Sequence, residues 1–385
     1  MTAPREIPFG RPMLGDAEKR LAARVLEGTV LTHGPRCAEF EQRFAERVGA
    51  RHAVTVSSCT TGLQLSLMAI GLKAGDEVLV PAQTHVATSH SVEHLGGRPV
   101  FVDVERATGN IDPEKAAAAV TLRTRAIMPV HYLGLPCDMD RLQVVAARHG
   151  LAIIEDCALA IGANYSGRHP GTLGTAGAFS FYPAKHMTTL EGGMVTTNDD
   201  DVAARLRSLR AFGYDRSFGE RKIPGIYDVV ALGNNFRMSE VQAAVGLGQL
   251  GQLDAFMAAR HRNTRILLDG ISELTGVVTF PIVHGKATSG YYCVNIVFTD
   301  TKLDRNRMIE KLNAAGIGTS VHYPIAVPLA RYYRDKYNYK PGDFPVAEWI
   351  SAQAISLPVG PHVSADDAHY IAETVRKLTT EALAA

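Results

Sequence analysis

Leu151-Ala-Ile-Ile-Glu-Asp156 is a short apolar run closed by two acids, and it reads as a buried strand of a parallel sheet. Six further stretches repeat the strand pattern: Ala53–Val56, Glu77–Val80, Val100–Val102, Ala126–Val130, Ala178–Tyr182 and Met194–Thr196. Helical patterns lie between many of them. Strand and helix in alternation imply an α/β fold with a doubly wound, mostly parallel seven-stranded sheet. A polar stretch over 214–230 precedes a helix starting at Ser239, and a smaller α/β domain follows. The division is placed at 1–248 and 249–385. The last helix begins at Ser364, with Asp367 in a capping box, and carries Ile371, Val375 and Leu378 on one face.

In open α/β sheets ligands bind at the carboxyl ends of the strands, which makes Asp156 a candidate site residue. A carboxylate there could keep the pyridine nitrogen of pyridoxal phosphate protonated and turn the ring into an electron sink. It could equally cap a helix beginning near Ala158. Lys185 follows the aromatic run Ala178-Phe-Ser-Phe-Tyr182 and precedes Glu191-Gly-Gly193. Partial desolvation there would lower the pKa of its amine and suit it to Schiff-base chemistry, whereas most lysines are solvated surface charges. Ala53-Val-Thr-Val-Ser-Ser-Cys-Thr-Thr-Gly62 is a strand, a hydroxyl-rich turn and a helix start, with Leu63, Leu67 and Ile70 on one helical face. Such a terminus suits a phosphate, with Ser57, Ser58, Thr60 and Ser180 as added donors. Any one of the first three serves as well for a plain N-cap.

These motifs, in order, resemble those of the DegT/DnrJ/EryC1/StrS sugar aminotransferases. The likeness rests on Ser57-Ser-Cys-Thr-Thr61, Glu155-Asp156, Ser180-Phe-Tyr-Pro-Ala-Lys185, Glu191-Gly-Gly193 and Gly233-Asn-Asn-Phe-Arg-Met-Ser-Glu-Val-Gln-Ala-Ala244. It extends to Ile7-Pro-Phe-Gly-Arg-Pro12, Thr32-His-Gly-Pro35, Val130-His-Tyr-Leu-Gly134, Val321-His-Tyr-Pro324 and Leu357-Pro358. The resemblance implies a fold-type-I architecture, with pyridoxal 5'-phosphate cycling through pyridoxamine 5'-phosphate. Lys185 would be the Schiff-base lysine and Asp156 the partner of the ring nitrogen, with Ser58, Cys59, Thr60 and Ser180 in the phosphate turn. Asn235, before Phe236-Arg237, would reach the cofactor of a neighbouring subunit, making the enzyme a homodimer. As a plain turn residue it would precede the helix capped by Ser239, and Arg237 would be an ion-pair partner. His85 falls where an aromatic ring stacks on the pyridine, and a core or surface histidine also fits that position.

The family likeness further implies a ping-pong transfer from an amino acid, usually L-glutamate, to a ketosugar. Lysine at 185 argues for transamination, because the members that remove hydroxyl groups carry histidine there. The spacing from Lys185 to Glu191-Gly-Gly193 resembles the branch that aminates C4 of nucleotide-linked 4-keto-6-deoxysugars. Thr32, His33, His322, Tyr323 and the loop Asp215–Lys222 are candidates for the sugar side, although Pro324 could close an ordinary turn at 322–323 and a charged loop is usually solvated. Two departures keep other readings open: Leu159 stands where relatives carry a polar residue near the cofactor's phenolic oxygen, and Cys59 replaces a glycine, which leaves that backbone less permissive. The alternatives are a cyclitol or octulosonate acceptor, and a cofactor-binding regulator without turnover. Retention of both Lys185 and Asp156 argues against the last.

Bulk properties narrow the partners. With 385 residues, 46% hydrophobic and 21% charged, and a net charge of +1, the chain is globular and shows no attraction to nucleic acid or an anionic membrane. The first residues lack an apolar signal core and no run is long enough for a bilayer, so the expected location is cytoplasmic. Cys37, Cys59, Cys137, Cys157 and Cys293 form no Cys-x-x-Cys pair, and the fourteen histidines are scattered along the chain. Neither a disulfide framework nor a metal site is expected.

Overall fold

Runs such as Val78-Leu-Val80 and Ile153-Ile154 form strands because both faces of the sheet are covered, so consecutive side chains can all be buried. The computed structural model describes residues 5–216, 223 and 225–384. The seven strands are His52–Val56, Glu77–Pro81, Arg98–Val102, Thr124–Ile127, Ala152–Asp156, Ala176–Ser180 and Gly193–Thr197. In space the first strand lies at one edge, followed by those starting at 193, 176, 152, 124, 77 and 98. The pairs from Ala176–Ser180 outward to Arg98–Val102 are parallel. Gly193–Thr197 alone runs antiparallel to both its neighbours. This is the mostly parallel seven-stranded sheet that the sequence implied.

Local boundaries differ from expectation where the chain leaves the sheet toward the site. The strand expected to reach Val130 ends at Ile127, and Val130 makes only an isolated parallel bridge to Asp156. The helix Cys59–Ala69 was expected to bury one face, yet Leu63, Leu65 and Leu67 are all inaccessible. The sheet lies beneath it and the helices Val86–Glu93 and Asp200–Leu209 pack beside it. A helix enclosed on several sides needs no polar stripe.

The helix Glu240–Ile271 starts at the Ser239 cap, whose hydroxyl accepts the Gln242 N–H at 3.3 Å. Ala243, Leu247 and Leu253 join the core beneath the large sheet, and Leu267 and Ile271 join a second core. The division expected after residue 248 therefore falls within one continuous helix. Around the second core lies an antiparallel sheet of Val277–Thr279, Val294–Phe298 and Ala354–Leu357. The final helix, Ala365–Ala384, covers it with Ile371 and Val375 fully buried, and Ser364 and Asp367 form the expected reciprocal cap. The opening residues, grouped with the large domain in the sequence reading, run along this second core. Ile7 is buried in it and exchanges backbone hydrogen bonds of 2.8 Å with Gly316 and Gly318. Among the described residues no helix is long and apolar enough to cross a membrane.

Candidate active site

The sheet order brings several strand ends to one edge. Val56 and Ser180 both pair with Gly193, so the ends of His52–Val56 and Ala176–Ser180 flank the start of Gly193–Thr197. Asp156 ends the next strand, opposite Ala178. A cavity of about 490 Å³ opens there, with Ser58, Thr60, Asp156, Ser180 and Lys185 in its wall.

Asp156 is 5% exposed. One of its oxygens accepts from the Thr88 hydroxyl at 2.8 Å, and the other from the Ala158 N–H at 3.1 Å, with the Cys59 thiol 3.9 Å away. The helix expected near Ala158 is absent. Residues 158–162 form turns, and Asp156 closes the first of them with its side chain.

Lys185 lies in a loop that folds back on itself: Phe181 N–H donates to Gly192 O and Thr189 N–H to Phe181 O, each at 3.0 Å. Its amine stands 5.2 Å from the centroid of the Tyr292 ring. Burial pushes the amine below the ordinary lysine range, against the opposing pull of Cys59 and Asp156. Lys185 and Asp156 share the cavity wall and, among the described residues, form no ion pair with each other, so a ligand in the cavity can meet both. Behind Lys185, Arg260 is 5% exposed; its terminal nitrogens donate to backbone carbonyls, among them Tyr292 O at 2.9 Å and Lys185 O at 3.4 Å, while Nε has no partner. Burial lowers this guanidinium to about 10.

The phosphate-turn expectation meets a helix N-terminus. Ser58 caps Cys59–Ala69, its hydroxyl accepting the Thr61 N–H at 3.2 Å while Thr61 Oγ1 accepts the Ser58 N–H at 3.0 Å. The N–H groups of Cys59 and Thr60, in the first turn, have no intrahelical acceptor and carry the positive end of the dipole. Cys59 is helical and absent from the residues of positive φ, which corrects the expectation of a restricted turn: glycine's freedom is not needed there. Burial, with Asp156 next in effect, raises its thiol well above the usual range. Gly193, by contrast, is required. A Cβ there would lie 2.6 Å from Ser58 C and 2.7 Å from Cys59 N, so only glycine lets the strand approach the helix start.

On the small-sheet side of the cavity stand His322 and Tyr323. His322 is 8% exposed, bonded through Nδ1 to Ser356 Oγ at 2.8 Å, and lowered to about 3 by burial and then by Lys185. Burial raises the Tyr323 phenol well above its ordinary value. His85 lines the cavity, caps Val86–Glu93 by accepting the Ala87 N–H at 3.2 Å, and meets the Tyr323 ring edge-on. Leu159, 2% exposed, makes part of the wall apolar. Thr32 and Asn235 are exposed and line no part of the cavity within this chain. His33 and Arg237 instead bond each other at 3.1 Å, and Arg237 lies over the Phe212 ring and, among the described residues, makes no ion pair. Of the loop Asp215–Lys222, residues 217–222 lie outside the described residues. Thr84, Thr88 and Tyr292 escaped the sequence reading, and no motif marks them.

Among the described residues, one group places metal-type ligand atoms within 4.8 Å of one another: His131, Glu155 and Cys157. The carboxylate and the imidazole already have partners. Glu155 accepts from His131 at 3.0 Å and from the N–H groups of Gly171, Leu173 and Gly174 at 2.9, 2.9 and 2.7 Å. The site as a whole fits pyridoxal phosphate: an amine and a carboxylate on one cavity, a bare helix terminus for the phosphate, and a volume in the usual range for small-molecule sites.

The chain matches the DegT/DnrJ/EryC1/StrS aminotransferase family over residues 12–376. The spore coat polysaccharide biosynthesis protein SpsC of Bacillus subtilis is 38% identical over 378 residues, 97% of each chain. The solved structure of DesV from S. venezuelae is similar with a TM-score of 0.87 at 35% identity, covering 94% of both chains. That of DesI, determined in the presence of its TDP-sugar product, gives 0.88 at 34% identity, covering 99% of this chain and 94% of that one.

Proposed function

Because this chain belongs to the DegT/DnrJ/EryC1/StrS aminotransferase family, a family of pyridoxal-phosphate-dependent sugar aminotransferases, we propose that it moves the amino group of L-glutamate to C4 of a nucleotide-linked 4-keto-6-deoxysugar. The observation that carries this reading is the placement of Lys185 and Asp156 on one cavity without pairing. DesI was solved with a TDP-sugar product, which supports a nucleotide-linked acceptor. The C4 assignment rests on the spacing between Lys185 and Glu191.

When bound, the cofactor supplies a carbonyl that takes up the donor's amine and a ring that accepts the electron pair left at Cα. Lys185 Nζ moves the proton from the donor's Cα, a task suited to an amine held below the ordinary lysine range. Asp156 holds a proton on the ring nitrogen. The N–H groups of Cys59 and Thr60, with the Ser58 and Ser180 hydroxyls, bind the phosphate. His322 and Tyr323, neutral and enclosed, orient the sugar and exclude water.

The active unit is a homodimer in which Asn235 of one protomer serves the other's site. Its exposure in this chain supports that role. So does the adjoining apolar surface: Ile226, Val229, Val230 and Leu232 are each more than half exposed. The cavity takes residues from around the large sheet, such as Asp156 and Lys185, and from the small-sheet side, His322 and Tyr323.

The test is a donor and acceptor screen on the purified holoenzyme. L-glutamate is expected to bleach its absorbance near the visible edge, and a nucleotide-linked 4-ketosugar to restore it with formation of the C4 amine. Restoration by a cyclitol ketone or a free octulosonate ketone instead would replace the acceptor class. A holoenzyme that no amino acid bleaches would remove the reading altogether.

A further inference from the structure

Thr84 follows the strand Glu77–Pro81, and Thr88 lies one helical turn on, in Val86–Glu93. Both are buried, at 1% and 0% exposure, and Thr84 lines the cavity. The Thr88 hydroxyl is 2.8 Å from Asp156 Oδ2 and 2.7 Å from the Thr84 hydroxyl. An ionised carboxylate only accepts, and a hydroxyl has a single proton. Thr88 must therefore give its proton to Asp156, and the contact with Thr84 must use the proton of Thr84. The direction of both bonds follows from the charge at the end of the chain.

We propose that Thr88 and, behind it, Thr84 are positioning residues, a directed hydrogen-bond relay that holds the Asp156 carboxylate toward the cofactor's ring nitrogen. The proposal rests on the reading of Asp156 as the partner of that nitrogen. Asp156 is anchored once on each oxygen, by Thr88 on one and by the Ala158 N–H on the other at 3.1 Å. Two anchors on opposite oxygens stop rotation about the carboxylate axis, and the remaining lone pairs are left for the cavity. Without Thr88, only the backbone bond and a thiol at 3.9 Å would orient the group. Without Thr84, the Thr88 hydroxyl would lose the bond that polarises it.

The experiment titrates apo-protein with pyridoxal phosphate and, separately, with the analogue carrying carbon in place of the ring nitrogen, followed by fluorescence quenching. Thr88→Val keeps the shape and removes the hydroxyl, whereas Thr88→Ser keeps the hydroxyl and removes a methyl group. A bond to a charged group predicts that Thr88→Val weakens pyridoxal phosphate about 10- to 100-fold. The carbon analogue should bind wild type and variant equally, Thr88→Ser should restore the affinity, and Thr84→Val should move it in the same direction by less. Equal losses for both ligands, or a serine variant as weak as valine, would mean that Thr88 only packs, and would overturn the proposal. Wild-type protein that fails to discriminate between the ligands would remove the role of Asp156 itself, and the relay with it. Thr84→Val still reports if Thr88→Val does not fold.

Discussion

Replacing Glu155 by glutamine should be costly although only one atom changes. The carboxylate is inaccessible and accepts four hydrogen bonds, from Leu173 and Gly174 on one oxygen and from Gly171 and His131 on the other. A glutamine has one oxygen, which keeps one such pair, and its NH2 then faces two donors. His131 cannot escape by moving its proton, because its other nitrogen already accepts the Cys137 N–H at 3.1 Å. At about 1–3 kcal/mol for each stranded buried donor, and with the two retained bonds losing their charge, the loss is about 3–5 kcal/mol after allowing for the lower desolvation of a neutral side chain. That is a large part of a total stability of roughly 5–15 kcal/mol. Urea unfolding of wild type and Glu155→Gln at neutral pH measures it, and a difference below about 1 kcal/mol would refute the accounting.

The same pair has a pH signature. Burial pushes Glu155 up, but the hydrogen bonds from His131 and the backbone N–H groups outweigh it, and the net shift is downward. A carboxylate lowered in the folded state adds stability above its unfolded pKa and loses it as pH falls through the folded one. The gap between wild type and variant should therefore shrink only below about pH 4.3.

Two other outcomes test the site. Gly193→Ala should lower the melting temperature and weaken cofactor binding together, since the new Cβ would meet Ser58 C, Cys59 N and Phe179 O at 2.6, 2.7 and 2.8 Å, all backbone atoms. Calorimetry and cofactor titration read the two effects, and a variant with wild-type values in both would show that the strand and helix can separate. For the dimer, Lys185→Ala and Asn235→Ala should each be inactive alone, while refolding them as an equal mixture should recover about a quarter of the wild-type activity, because half the dimers hold one intact site. Mixed dimers confirmed by tag exchange yet lacking activity would place Asn235 outside the neighbouring site.

Much of the architecture was legible because the strands are buried on both faces. Continuous apolar runs such as Ala152–Asp156 then mark strands by themselves, and the alternation with helices sets the parallel order. What failed were inferences about where an element stops or what covers it. Val130 carries a strand-like side chain, but the strand ends three residues earlier, and only tertiary pairing decides that. The helix Cys59–Ala69 reads as one-faced from Leu63 and Leu67, yet Leu65 is equally buried because other helices cover it. Ile7 reads as part of an opening segment, and its partner at 316–318 lies too far along the chain for any local pattern to connect them.

The site divides along the same physical line. Asp156, Ser58 and Ser180 could be singled out as candidates because each stands at a strand end or helix start, which is visible locally, and Lys185 because it follows the aromatic strand within a few residues. Thr88 could not, because its side chain matters only through a carboxylate 68 residues away. A threonine in a helix beside His85 and Ser89 looks like any other polar residue. Arg260 is the harder case, since a basic residue inside a long helix reads as solvated, whereas here it is buried against the carbonyls of Tyr292 and Lys185. Its charge is accommodated by the peptide oxygens that accept its hydrogen bonds. The proposed catalytic groups are thus announced largely by topology, while the groups proposed to hold them in place are chosen by contacts that only the folded chain creates.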